Sequence, residues 1–547
     1  MEGETADLRK MLDEPKSAIL SMSLPLFVAF LISTVQLFVD SVWCSGLGPE
    51  ASSAISVSGP VYWVIMDVGA GLGVGASTAI ARALGAKDKA RADSLASQML
   101  AFTVLLTFAM MGAMALSARP ILAFMSGGEN VGLCMEYVVP YIFCCYALVM
   151  SGVIAGMLRA EGAARKSMAL SVAASLINLV LDPVLIYGLG LGVLGASIAT
   201  CASFAATASV GIWWYLAGRM YVRPSFKGFR FIRDQLWDIF AVGIPHTLEL
   251  VIIPLMMMPQ NALVTKIGGP DGIITYCLPF RFVSLAVVPA RALSASMIPV
   301  ASAALGQKDY GKAMAAFGYT LRTGVVISTV LSFVILFLAG PLSYAFSYSE
   351  DMSRFHDEFT KVTMIYAFVT VSVAVVGICS GVLQTLRLAQ LATLTVFVRE
   401  CLFLAFYYVS TFISMDAVYW SLLLAEIVGA AMMAYFAQRS VRAKESEYAA
   451  VPVRCRDDAD GGPESRRCAR RPAGAGAGPG EIAQGPAIIP GAQHRGSCAC
   501  PGWPRPGGPS SEPHGGGHRR RPPRSPRRRR SGWSPRSAPP AACRRCI

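Results

Sequence analysis

The sequence predicts an all-α integral membrane protein, with twelve transmembrane helices arranged as two pseudo-symmetric six-helix lobes around a central cleft. Three observations predict it. The 547 residues are 54% hydrophobic and only 15% charged, with a mean hydropathy of +0.51, whereas a soluble domain carries roughly 25% charged residues. Apolar stretches of the ~20 residues needed to cross the hydrocarbon recur along the chain. The segments between them alternate in their content of Lys and Arg.

The predicted spans are residues 18–44, 54–81, 94–117, 133–157, 168–188, 193–216, 236–263, 273–304, 313–338, 359–384, 389–413 and 417–438. With the N-terminus taken as cytoplasmic, the inner connections carry 21 Lys and Arg, and the outer ones only Arg119, Lys266, Arg354 and Lys361. Such a bias orients helices with the basic side inward. A multi-pass protein of the cell membrane with both termini cytoplasmic is expected. Residues 1–17 are charged and of mixed sign, with no short apolar run ending in a small-residue cleavage site, so they do not read as a signal peptide.

A duplication underlies the twelve spans. ALGAKDKARA at 83–92 matches ALGQKDYGKA at 304–313, an offset of 221. Ser23-Leu24-Pro25 matches Gly243-Ile244-Pro245 at 220, and GVIAGMLRA at 152–160 matches GICSGVLQT at 377–385 at 225. Three anchors in one order with a slowly drifting offset define two homologous halves. Each half has an even number of spans, so an axis along the membrane normal should relate them, and a cleft between two such lobes suits alternating access. The expected divisions are a cytoplasmic N-terminus (1–17), an N-lobe (18–217), a cytoplasmic linker (218–235), a C-lobe (236–438) and a cytoplasmic tail (439–547).

Charges inside spans are expensive, about 2.5–3.5 kcal/mol each on insertion scales, and mark functional candidates. Asp40 and Asp182 each lie six residues before a Gly at the outer end of a span, roughly 9 Å deep at ~1.5 Å per residue. Thr200 enters its span to about the same level. Asn178 is one turn from Asp182 on the same helix face. Two carboxyls, an amide and a hydroxyl at one depth can bind Na⁺ or share and release protons. The duplication maps Asp40 onto Gln260, and Asn178 and Asp182 onto Phe403 and Tyr407. The second half therefore lacks these acids, which favours a specific N-lobe site over a feature common to both halves.

Other charged residues read less sharply. Asp67 either joins the site or pairs with another helix. Glu249, close to His246, is either a second proton carrier or half of a pair with Arg281; Asp67, Glu249 and Arg281 are thus candidates for a secondary proton or substrate site. Arg399, Glu400 and Glu426 read as structural. Pro25 and Pro183 each remove a helix hydrogen bond, and Pro25 is a candidate hinge. Met256, Met257 and Met258 read as packing before they read as a greasy cleft lining. GAGLGVG at 69–75 lies within a span, where small residues allow close helix packing. No phosphate loop, catalytic triad spacing or metal motif is found, so neither an enzyme nor a cofactor is expected.

These residues resemble the multidrug and toxic compound extrusion family over about 15–440. The likeness is carried by Pro25 and Asp40, by ALGAKD and its repeat ALGQKD, by GMLRAEG at 156–162, and most specifically by NLVLDPVLIYGLGLGVLGAS at 178–197. It looks closest to the prokaryotic DinF-like branch. The resemblance implies a two-lobe fold with a V-shaped cavity and antiport of amphipathic, often cationic organic compounds against H⁺ or Na⁺. It also implies a cation site of Asp40, Asn178, Asp182 and Thr200, and bending at Pro25. Other branches pair a helix-7 Glu with a helix-10 Asp. Glu249 fits the first, but the tenth span has no interior acid, a departure that counts against a C-lobe cation site. A flippase for lipid-linked sugars and a scaffold that transports nothing are the alternative readings.

The net charge of +14 is misleading. From Val451 onward the chain has 19 Arg, no Lys and 6 acidic residues, which leaves the membrane body near neutrality. That tail, rich in Pro, Gly and Ala, cannot bury enough apolar surface to fold, and its abrupt change of composition suits translation in a wrong frame. The expected partners are small organic substrates and membrane lipids around a monomer, with no nucleic acid.

Overall fold

A computed structural model describes residues 5–126, 130–344, 347 and 350–450. The tail beyond Ala450 lies outside the described residues. The described residues are mostly helical, without strands. In order they form α1 (Ala6–Asp13), α2 (Pro15–Ser45), α3 (Pro49–Gly85), α4 (Lys89–Met125), α5 (Val131–Phe143), α6 (Cys145–Ala160), α7 (Ala164–Pro183) with a π-helical turn Val184–Gly188, and α8 (Gly192–Leu216). The second half comprises α9 (Arg233–Cys277), α10 (Phe280–Ala286), α11 (Val288–Gly306), α12 (Tyr310–Phe337), the short α13 (Ala339–Tyr344) and α14 (Glu350–Ser353), α15 (His356–Ala367), α16 (Val369–Thr385), α17 (Ala389–Ser410) and α18 (Met415–Ala450). Eleven segments are long and apolar enough to cross a membrane, and α5 with α6, bent by 54°, makes a twelfth.

Every predicted span has its counterpart, but several are not straight. The fourth breaks at Cys144, one turn after Pro140, whose missing amide weakens the ladder there. The eighth, expected as one helix over 273–304, is divided: α9 runs on to Cys277 across a non-helical Gly269 (φ 60°), and α11 starts afresh with Pro289 in its first turn. Pro289 has no amide to bond the carbonyl of Leu285, so the helical ladder is interrupted where α10 gives way to α11. The tenth breaks at Phe368 between α15 and α16.

The expected ends need correction. Residues 1–17 are not merely a leader to the first span. Thr5 caps α1 by accepting from the Leu8 amide at 3.2 Å, and Leu8, Met11 and Leu12, spaced for one helix face, are buried. Gln307 of the other half donates to Leu12 O at 3.0 Å. Residues 439–450, assigned to the tail, continue α18 instead, where Tyr310 donates to Val441 O at 2.6 Å. The linker 218–235 is held by the first half: Asp93 accepts from the Arg223 amide, Ser97 from Ser225, and Gln98 binds both Arg230 O and the Ile232 amide.

The duplication is visible in the packing. In the first half α2 packs on α7, α3 on α6 and α4, and α7 on α8; in the second, α9 packs on α17, α11 on α16 and α12, and α17 on α18. The repeated ALGxKD makes the same turn twice. Lys87 and Lys308 both adopt φ 60°, and Asp88 and Asp309 both cap the next helix through the amides of Arg91 (2.9 Å) and Lys312 (3.0 Å).

The halves meet at the Lys/Arg-rich face through backbone. A Cβ on Gly85 would lie 2.0 Å from Ala303 O, and one on Gly306 would lie 2.1 Å from Arg82 O. The same seam carries Arg82 Nη2 donating to Thr385 O (2.7 Å), and Asp238 paired with both Arg91 (2.5 Å) and Arg387 (3.0 Å).

Candidate functional site

Four side chains predicted at one depth come together between α2, α7 and α8. Asn178 is the hub. Its amide donates to Asp182 Oδ1 at 3.2 Å, as one-turn spacing dictates, and lies 3.3 Å from Thr200 Oγ1 on α8. The Asp40 carboxyl, from α2, is within hydrogen-bond reach of the Asp182 carboxyl. Two carboxyls can share a hydrogen bond only when one holds a proton. Asn178 is 1% and Asp182 2% exposed, and Asp40 Oδ1 is buried without a hydrogen-bond donor. The cluster is therefore oxygen-rich, short of donors and shielded, an arrangement that favours a bound cation or a shared proton.

The sequence reading missed two members. Gln36, one turn before Asp40, donates to Asn178 Oδ1 and lies 3.4 Å from Asp40 Oδ2, bridging α2 and α7. The i, i−4 relation to Asp40 was the available signal. Tyr141, 1% exposed on α5, lies beside Thr200; nothing in the sequence placed α5 against that point.

The prolines fall differently. Pro25 is buried within α2, which runs through it without a break. Pro183 directly precedes the π-helical turn, so the irregular backbone begins beside Asp182. Such single-turn widenings often accompany functional sites.

The secondary candidates separate. Glu249 is 7% exposed and bound by Ser380 (2.6 Å), His246 (3.1 Å) and Gln384 (3.3 Å). Asp67 has His246 and Arg291 as its basic neighbours, and His246 is the residue that contacts Glu249. Arg281 joins neither. It is exposed and lies over the Phe38 ring at 5.3 Å, a contact between the halves, so the anticipated Glu249–Arg281 pair does not form. Among the described residues, no group of three or more His, Cys, Asp and Glu could hold a metal ion.

Paired buried carboxyls between helices of a duplicated twelve-span bundle define the class of a polytopic membrane transporter. The chain belongs to the MatE family, whose model matches it twice, over residues 25–184 and 245–409. The two matches begin 220 residues apart and end 225 apart, the offsets of the internal duplication. The multidrug export protein MepA of Staphylococcus aureus (strain MSSA476) is 26% identical over 426 residues, 75% of this chain and 90% of MepA. The FAD transporter of Shewanella oneidensis is 28% identical over 335 residues, 60% of this chain and 74% of that protein. Among solved structures, MATE in complex with MaL6 superposes with a TM-score of 0.77 at 28% identity, covering 81% of this chain and all of the other. An outward-facing multidrug resistance MATE transporter gives 0.77 at 27% identity, with 81% and 99% covered. These relatives are transporters rather than enzymes.

Proposed function

We propose that the protein is a secondary active antiporter of the cell membrane that exports amphipathic or cationic organic compounds in exchange for inward H⁺ or Na⁺. The observation that carries this reading is the joining of Asp40 and Asp182 across α2 and α7 through Asn178 and Gln36. Loading the pair with a cation removes the repulsion between two carboxylates, and unloading restores it. Helix α2 also packs on α11 of the other half, so a change at the pair reaches the contact between lobes. With the Lys/Arg-rich face cytoplasmic, the glycine seam closes the inner end and the carboxyl pair lies toward the outside. Asp67 of the N-lobe, with Glu249 and His246 of the C-lobe, forms a second polar group that is available to substrate or a proton. A monomer surrounded by lipid suffices for this arrangement. The multidrug export protein among the relatives supports organic compounds as cargo, and the FAD transporter makes FAD a second substrate to assay.

The test uses the full chain in liposomes loaded with ethidium. Efflux should follow an imposed pH or Na⁺ gradient and fall to the leak rate in Asp40→Asn and Asp182→Asn, both of which should reconstitute normally. Gradient-driven efflux retained in both variants would refute the site, and ethidium efflux indifferent to either gradient would refute antiport.

A further inference from the structure

The C-lobe buries a charge cluster that the carboxyl pair of the N-lobe does not explain. Arg399 and Glu400 lie near the middle of α17, and Glu426 near the middle of the membrane-crossing part of α18. Arg399 Nη2 donates to Glu400 Oε1 at 2.6 Å, and Gln260 Nε2 of α9 donates to Glu400 Oε2 at 2.9 Å. Glu400 is thus well satisfied. Glu426 is not: its one charged contact is Arg399 Nη1 at 3.5 Å, and Glu426 Oε2 has no hydrogen-bond partner. Arg399 Nε is also buried without an acceptor. Exposure is 7% for Arg399, 3% for Glu400 and 6% for Glu426. Gly429 makes room for the stem of Arg399, since a Cβ there would lie 2.5 Å from Arg399 Cγ and Cδ.

Charge counting gives the site its chemistry. One Arg and two ionised Glu leave a net charge of −1 among apolar helices, a costly state. One proton neutralises it, and Glu426 is the carboxyl with fewest donors to lose. The groups facing Glu426 are Arg399 and Glu400 on α17, with Tyr407 on the same helix and Tyr276 from the end of α9. Glu249 of α9 acts on Arg399 from further off. Two separate hydroxyl groups lie further along the same helices. Tyr276 and Tyr407 are 2.9 Å apart; beyond them Tyr419 contacts Thr275 at 2.7 Å and donates to Glu358 at 2.8 Å, near the start of α15.

We propose that Gln260, Arg399, Glu400 and Glu426 form a proton-binding site in the C-lobe, with Glu426 as the group that accepts and releases the proton. Proton binding here stands apart from the antiport reading; only its use in coupling rests on that reading. Gln260 is the counterpart of Asp40 in the duplication. The second half thus places an amide where the first has an acid, and carries its surplus carboxylate one helix further along.

Infrared difference spectroscopy on the full chain in lipid nanodiscs tests the site without substrate, so its result is separate from that of the efflux assay. In an Asp40→Asn, Asp182→Asn background and Na⁺-free buffer, acidification should raise a buried protonated-carboxyl band. That band should vanish in Glu426→Gln and shift in Glu426→Asp. A band unchanged in both variants overturns the proposal, as does a band discharged by Na⁺ at constant pH. If neither variant folds, the Glu161→Gln chain with ¹³C-labelled glutamate and otherwise natural residues decides, since Glu161 is the other buried glutamate that titrates. A buried glutamate carboxyl that titrates is expected, and none doing so overturns the site.

Discussion

Asn178 gives and receives hydrogen bonds among Gln36, Asp182 and Thr200, so its loss removes several contacts at once. Hydrogen bonds to charged groups contribute about 1.5–3 kcal/mol each. Asn178→Ala should therefore lower gradient-driven ethidium efflux by about tenfold or more while leaving expression unchanged, as vesicle assays can measure. Outside the membrane spans, Glu161 is 2% exposed and its Oε2 accepts from the amides of Tyr221 (2.9 Å) and Val222 (3.2 Å). Burial nonetheless pushes its carboxyl from 4.5 up to about 7. The folded state thus holds this proton more tightly than the unfolded one, so the contribution is complete below 4.5 and is lost as pH rises through about 7. A shift of that size corresponds to about 3 kcal/mol. Glu161→Gln should flatten the fall of thermal stability across that window; a fall as steep as that of the unaltered chain would show that another group is responsible. At this scale the sequence was informative wherever depth and one-turn spacing decide neighbours, as for Asp40, Asn178, Asp182 and Thr200. It was silent on Arg281, because whether an Arg meets Glu249 or the Phe38 ring depends on how α10 breaks from α11.

Among the elements, the seam between α3 and α11 is the most constrained. Gly85 and Gly306 bring backbone against backbone, where any side chain must displace main-chain atoms of the other half. Gly85→Val should open this end. With Cys placed at Ala303, labelling by a maleimide should be slow in the parent and at least several-fold faster in the valine variant. Equal rates would mean that the seam adjusts without opening. The small residues at 69–75 announced close packing but not their partners, which are Val149 and Gly152 in the same half and Thr247 and Gly243 in the other. The spans themselves were legible because hydrophobic length is a local property. Their bends were not: the spans 133–157 and 273–304 were read as unbroken, and Pro60, Pro120 and Pro299 sit in helices that do not break. The helix Ala6–Asp13 also escaped notice: eight residues carry too little pattern, and its buried face is explained only by the groove it occupies.

For the molecule as a whole, the duplication was the most legible feature, and it recurs as paired turns, paired packing and a family match in two segments. All packing described here lies before Val451, so truncation after Ala450 should leave efflux and thermal stability unchanged. A loss of either would assign the Arg-rich tail a role. Charge is what the duplication did not preserve: one half holds two acids joined by an amide, the other an Arg between two glutamates. The glycine seam has a consequence for how these unlike halves can act together. Contact between bare main chains fades within an ångström or so, whereas the Arg82–Thr385 and Arg91–Asp238 bridges beside it can follow a small movement. The first ångström of parting is therefore the steepest, and the bridges hold what remains. In the antiport reading, such a gate resists the onset of opening more than its completion and springs back from small excursions, which keeps the two mouths from standing open together.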